Sequence, residues 1–218
     1  MKKYTFAIIV GLLLFFIPFF WLAPGEMNLG GDAGRLYFYD PTAYIKLALY
    51  NYTKSGTGGE VVNYVYLPYV TLLFLLKHIF QSPTILISLF NGLTLSVAFF
   101  SIYLIVKELL VWNENNVRSR YIELASILAG IFYILSQLSI HRGWERPIIT
   151  HSQIFLNPLM TFLILKWMLT QKMKYLTFAL FTTFIFTSNF SLIGAPPFFA
   201  FPTLSKMVNL PNFFPICL

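Results

Sequence analysis

Apolar residues fall in long uncharged blocks along this chain, without the two-residue alternation of half-buried strands. A helix crossing a hydrocarbon core about 30 Å thick needs about 20 apolar residues. Blocks of that order cover residues 4–22, 85–106, 122–140, 154–169 and 176–193. The block 154–169 is short and carries Lys166 near its end, where a long side chain can reach the headgroups. Segment 61–80 is less regular. Pro68 interrupts its start and Lys77-His78 its end, leaving an apolar centre too short for a comfortable crossing.

Charge decides how that segment is read. If 61–80 lies along the membrane surface, one side collects Lys2, Lys3, Lys107, Arg118, Arg120, Lys166, Lys172 and Lys174 in short loops. Arg35, Lys46, Lys54, Lys77, Arg142, Arg146 and Lys206 are then spread over longer segments on the other side. If the segment crosses, every later loop changes side and the asymmetry is lost. The positive-inside rule selects the first arrangement, with a cytoplasmic N-terminus and 61–80 as a juxtamembrane helix. The expected fold is therefore all-α: a single membrane domain over 1–218, a polytopic transmembrane bundle of five spans. Outer loops are expected at 23–84 and 141–153, with a tail at 194–218. Bulky aromatics near residues 18–24 speak against signal cleavage, so the first span reads as an anchor in the cell membrane.

Within the first outer loop, residues 41–52 follow a helical period and Ser55-Gly-Thr-Gly-Gly59 breaks it, so two amphipathic juxtamembrane helices joined by a glycine hinge are expected. Asp40 before Pro41 reads as an N-cap followed by a proline at the first helical position. Gly92 and Gly130 read as helix-packing residues.

Composition agrees. The chain is 57% hydrophobic and 11% charged, with a mean hydropathy of +0.70. Soluble globular proteins carry about 25% charged residues. An ordinary cytosolic enzyme, a disordered chain and a disulfide scaffold are excluded, the last also by a single cysteine, Cys217. The net charge of +7 is dispersed around the apolar blocks rather than gathered in one patch, which argues against a nucleic-acid partner.

Two polar constellations can carry chemistry. Leu29-Gly-Gly-Asp-Ala-Gly34, followed by Arg35, lets the backbone turn tightly around Asp32 just beyond the first span. A carboxylate there can accept a proton or hold a cation; it can equally cap its own turn or pair with Arg35. His141-Arg-Gly-Trp-Glu-Arg-Pro147, with His151 behind it, sets planar guanidiniums and imidazoles between two spans, a set suited to a phosphate. Arg and Trp also anchor span ends in headgroups. A metal site from His141, Glu145 and His151 has weak support from spacing alone. Lys77-His78 serves either interfacial positioning or contact with a ligand phosphate.

The order of parts resembles the start of the GT-C fold glycosyltransferases, polytopic enzymes that take sugars from lipid-linked donors. The likeness runs over roughly residues 1–174. It rests on an acidic residue after the first span (Asp32), on the proline-started "LPYVTLLFLLKHIF", on a span ending "IYLIVKELL", and on "LAGIFYILSQ" before the polar loop at His141. The resemblance implies transfer of a sugar from a polyprenyl-phosphate donor at the outer membrane face. Asp32 would be the catalytic base, and Arg35, His141, Arg142, Glu145, Arg146 and His151 would bind substrate. Members differ over a divalent metal, and this sequence assigns none. Family members carry more spans, so the chain reads as an N-terminal part; a non-catalytic assembly or lipid-handling subunit is the alternative.

Overall fold

The computed structural model describes residues 4–21, 36–48, 52–53, 60–61, 67–113, 119–140 and 153–186. These residues are helical apart from one short antiparallel pairing. In chain order they form α1 (Thr5–Phe16) continued by a 3-10 turn (Ile17–Phe20), α2 (Leu36–Tyr39), α3 (Pro41–Ala48), β1 (Tyr52–Thr53), β2 (Glu60–Val61), α4 (Leu67–Phe80), α5 (Pro83–Asn113), α6 (Ser119–Ile134), α7 (Gln137–Ser139), α8 (Gln153–Thr170) and α9 (Met173–Phe186).

One helix among the described residues is long and apolar enough to cross a membrane: Pro83–Val111, 29 residues. At 1.5 Å per residue it measures about 43 Å, more than the hydrocarbon thickness. Thr5–Phe20, Leu67–Phe80, Ile154–Thr170 and Met173–Phe186 are shorter apolar helices.

Helix α5 is the spine, and α1, α6 and α8 pack along it. Small residues allow the close approach. A Cβ on Gly92 would strike the carbonyl oxygen of Phe15, and one on Gly130 would come within 2.7 Å of the Phe99 ring. Hydroxyl-to-carbonyl bonds reinforce the α1–α5 seam: Ser96 Oγ donates to Gly11 O at 2.9 Å and Ser88 Oγ to Pro18 O at 3.2 Å. Such bonds satisfy hydroxyls that have no water to turn to. The core of this seam contains Ala7, Leu95, Ala98, Phe99, Tyr103 and Ile127.

Pro158 lies inside α8 and offers no N–H to the carbonyl of Ile154, four residues earlier. The Tyr133 hydroxyl of α6 supplies the missing donor, reaching Ile154 O at 2.8 Å. A proline that would otherwise leave an orphan carbonyl is thereby accommodated by a neighbouring helix.

Several boundaries differ from the sequence reading. Helix α5 runs on past Val106 to Asn113, so Lys107 and Glu108 are helical rather than part of a loop. Helix α6 stops at Ile134, not residue 140. Ser136 there adopts an extended conformation and its side chain accepts from Ser139 N, starting the short α7. The expected juxtamembrane helices are α3 and α4, but α3 ends at Ala48 and α4 begins only at Leu67. Tyr52 and Val61, expected to be helical, pair instead across β1 and β2. The glycine hinge 55–59 and the tail 194–218 lie outside the described residues. The Asp40 cap is present: Asp40 Oδ1 accepts from Ala43 N at 2.9 Å, with Pro41 opening the helix.

Candidate functional site

The contacts along α5 order the two ends of the bundle. Tyr4 at the start of α1 lies against Lys107 near the end of α5, while Pro18 lies against Ser88 near its beginning, so the two helices are antiparallel. Glu123 at the start of α6 reaches Lys107, and Gly130 further on faces Phe99, so α6 is antiparallel to α5 as well. In α8, Lys166 meets Glu108 of α5, and Ile154 meets Tyr133 of α6, so α8 runs parallel to α5. Helix α9 returns: Thr183 bonds Met160, and the Phe186 and Phe155 rings are 5.2 Å apart.

The end of α1, the start of α5, the end of α6, the start of α8 and the end of α9 therefore share one end of the bundle. The α2–α4 layer covers that same end. Phe38, Tyr69 and Phe90 form an edge-to-face triad, with centroids 5.6–6.4 Å apart, and Phe186 adds a ring 6.0 Å from Tyr69. Edge-to-face contacts of this kind favour one relative orientation of the packed elements.

Every residue singled out from the sequence for catalysis or substrate binding lies outside the described residues: Asp32, Arg35, His141, Arg142, Glu145, Arg146 and His151. What is described are their flanks. Segment 22–35 is bounded by Trp21 and Leu36, and segment 141–152 by Ile140 and Gln153. All four bounding residues belong to the end of the bundle that carries α2–α4.

At that end the described residues also form a cleft of about 360 Å³, lined by Thr42, Phe74, Lys77, His78 and Gln81. Lys77 Nζ donates to the carbonyl oxygen of Tyr39, tying α4 to α2. His78 Nδ1 lies 2.8 Å from Phe74 O, which can only accept, so that nitrogen carries a proton. Asp40, the nearby carboxylate in sequence, spends Oδ1 on its cap. Three buried polar atoms have no partner among the described residues: Tyr39 Oη, Asn91 Oδ1 and Asn157 Oδ1.

The opposite end holds a charge cluster that sequence reasoning missed. Lys107 Nζ lies 2.7 Å from Glu123 Oε2 and 2.6 Å from the Tyr103 hydroxyl, which in turn donates to Glu123 Oε1 at 2.8 Å. The ammonium also sits 3.9 Å from the centre of the Tyr4 ring. Lys166, expected to reach for headgroups, is instead 2.6 Å from Glu108 Oε1. The available signal was the i, i+4 spacing of Tyr103 and Lys107, followed by an acid early in the next apolar block. Around these pairs, Arg120, Lys172 and Lys174 remain exposed.

Among the described residues no three His, Cys, Asp or Glu side chains gather where they could hold a metal ion. The conceivable trio His141, Glu145 and His151 falls outside them. In comparisons with known proteins, no family model, no curated protein and no solved structure matches the chain.

Proposed function

We propose that the chain is a polytopic helical membrane protein of five crossings that acts as a GT-C-like glycosyltransferase, or as the N-terminal part of one. The observation that carries the reading is the shared end: the segments bearing Asp32 and the Arg142–Arg146 loop both leave and rejoin the bundle on the side of α2–α4. The outward faces of the shorter apolar helices agree with lipid as their solvent, with Leu13 60% exposed on α1 and Phe184 66% exposed on α9. The far end, with Lys107, Arg120, Lys166, Lys172 and Lys174, is the cytoplasmic one by the positive-inside rule. The site then faces outward.

In this reading a polyprenyl-phosphate sugar lies with its tail among the helices. Arg142, Arg146 and His141 hold its phosphate, and Arg35, Glu145 and His151 bind the sugar and acceptor. Asp32 takes the proton from an acceptor hydroxyl as that oxygen bonds the anomeric carbon. The bond from the anomeric carbon to the phosphate oxygen breaks, and the electron pair leaves with the polyprenyl phosphate. Guanidiniums aimed at that oxygen stabilise the growing charge.

The test is Asp32→Asn in the full reading frame, assayed with radiolabelled polyprenyl-phosphate hexose and pentose donors. General-base catalysis contributes about 10²–10⁴-fold, so transfer falls by that factor while donor binding persists. Transfer at the unsubstituted rate removes Asp32 from the mechanism; no transfer by the unsubstituted protein from any donor favours the non-catalytic subunit.

A further inference from the structure

The chain places a distinct set of polar groups in the cleft between α3 and α4, and its lysine stands apart electrostatically. Among the described residues, Lys107 and Lys166 are each held by a carboxylate. Lys77 is also partly buried, yet among the described residues it bonds a backbone carbonyl and pairs with no carboxylate, leaving two of its three donors for another partner. Thr42 adds a hydroxyl to the same cleft, Gln81 an amide, and His78 a ring whose Nδ1 proton goes to Phe74 O.

Gln81 adds a second and independent observation. It has φ +50°, the left-handed region, just after α4, and its N–H closes the helix on Lys77 O at 2.9 Å. Glycine normally fills such a position, because a Cβ is strained there. Gln171 occupies the same conformation after α8, with φ +54°, and its amide has a structural use, donating to Met168 O at 2.9 Å. The Gln81 amide has no such bond among the described residues and lines the cleft instead. At Gln81 the left-handed backbone thus has no such return from its side chain among the described residues.

The cleft also abuts lipid-compatible surface. Leu75 is 58% and Ile79 71% exposed on α4, on the helix face next to the His78 edge of the cleft. We propose that Lys77, Gln81, Thr42 and His78 form a site for a phosphate monoester, carried on a membrane lipid whose tails lie along Leu75 and Ile79. The lipid source rests on the membrane reading above. The site itself does not depend on Asp32 or on sugar transfer.

The experiment measures uptake of radiolabelled dioctanoyl phosphatidic acid by the immobilised full chain in uncharged-detergent micelles. Saturable uptake of one lipid per chain is expected, resisted by dioctanoyl phosphatidylcholine, whose tails are the same but whose phosphate is capped. Lys77→Gln weakens it at least tenfold. Gln81→Gly relieves the left-handed strain, so it raises the unfolding temperature while weakening uptake about fivefold. That opposition of sign is what a merely structural glutamine would not produce, and it decides the matter even if Lys77→Gln fails to fold. Competition by inorganic phosphate at equal concentration would support the site with a soluble phosphate as its occupant. Uptake no greater than by empty micelles, equal competition by phosphatidylcholine, or wild-type affinity in Gln81→Gly would overturn the proposal.

Discussion

The cluster around Lys107 permits a prediction with a worked magnitude. The Lys107 and Glu123 side chains are 10% and 19% exposed, and their 2.7 Å contact joins α5 to α6. Breaking a fully buried pair by removing one partner costs about 3–5 kcal/mol; the residual exposure of Glu123 lowers this for Glu123→Met to about 2 kcal/mol, close to the loss of one charge-assisted hydrogen bond. Lys107→Met costs more, about 3 kcal/mol, because it strands the carboxylate with the Tyr103 hydroxyl alone and also removes the ammonium from the Tyr4 ring. Replacing both with Met removes the desolvated charges together. It leaves only the Tyr103 hydroxyl, on a residue 1% exposed, without its partners, a cost of about 2 kcal/mol. The two singles sum to about 5 kcal/mol, so the coupling is about 3 kcal/mol, at the upper end for neighbouring groups. Adding Tyr103→Phe to the double substitution returns stability to within about 1 kcal/mol of the starting protein, since no polar atom is then left unpaired. Equilibrium unfolding in mixed micelles, followed by tryptophan fluorescence, measures each variant. A double variant that loses the full sum would refute the idea of a coupled unit; neutral single variants would make the pair a solvent-screened one, worth almost nothing.

The packing glycines should rank by what their new methyl group meets. Gly92→Ala drives into the Phe15 backbone and costs about 3 kcal/mol, whereas Gly11→Ala meets only the rim of the Phe100 ring, which can turn aside, and costs about 1 kcal/mol. Gly130→Ala, against both the ring and the carbonyl of Phe99, falls between, and unfolding midpoints in the reverse order would contradict the helix register. Topology is checked with cysteines at two exposed positions, Thr42 and Lys172, in a Cys217→Ser background. An impermeant maleimide should label Thr42→Cys only from outside and Lys172→Cys only from the cytoplasmic side; labelling of both from one side sinks the five-crossing arrangement.

How much of this could be read in the sequence depends on whether a feature is local. Helix positions follow from apolar block length, and the helices begin within three residues of the blocks expected at 85, 122, 154 and 176. The Asp40 cap and the packing roles of Gly92 and Gly130 were equally legible, since each depends on residue type and immediate neighbours. Features that depend on a partner far along the chain were not. Lys107 and Lys166 look like ordinary loop and span-end cations until α6 brings Glu123 and α5 brings Glu108 to them. Tyr133 looks like one more aromatic until its hydroxyl is needed by the carbonyl that Pro158 leaves unpaired. For the candidate site the recoverable part was again positional: the described residues place the flanks of both polar segments together, and the groups of those segments lie beyond them.

The distribution of polar bonds gives a physical reason for expecting chemistry at one end and not the other. At the Lys107 end, carboxylates from α5 and α6 neutralise the deeper cations, and the contacts run between three helices and the start of a fourth. Charged groups so engaged have little left to offer a ligand, and moving any one of those helices would uncover a charge in a poorly solvated place. At the α2–α4 end the described helices are joined by hydroxyl-to-carbonyl bonds and aromatic edges. These hold position without using up charge. Among the described residues Lys77 there bonds a backbone carbonyl and no carboxylate. At the site proposed for an anion, Lys77 lies near low-dielectric walls, where attraction is stronger than in water; at the other end an anion would first have to displace Glu123 or Glu108. Among the described residues, then, the ion pairs that fasten helices lie at one end and the groups proposed to bind at the other.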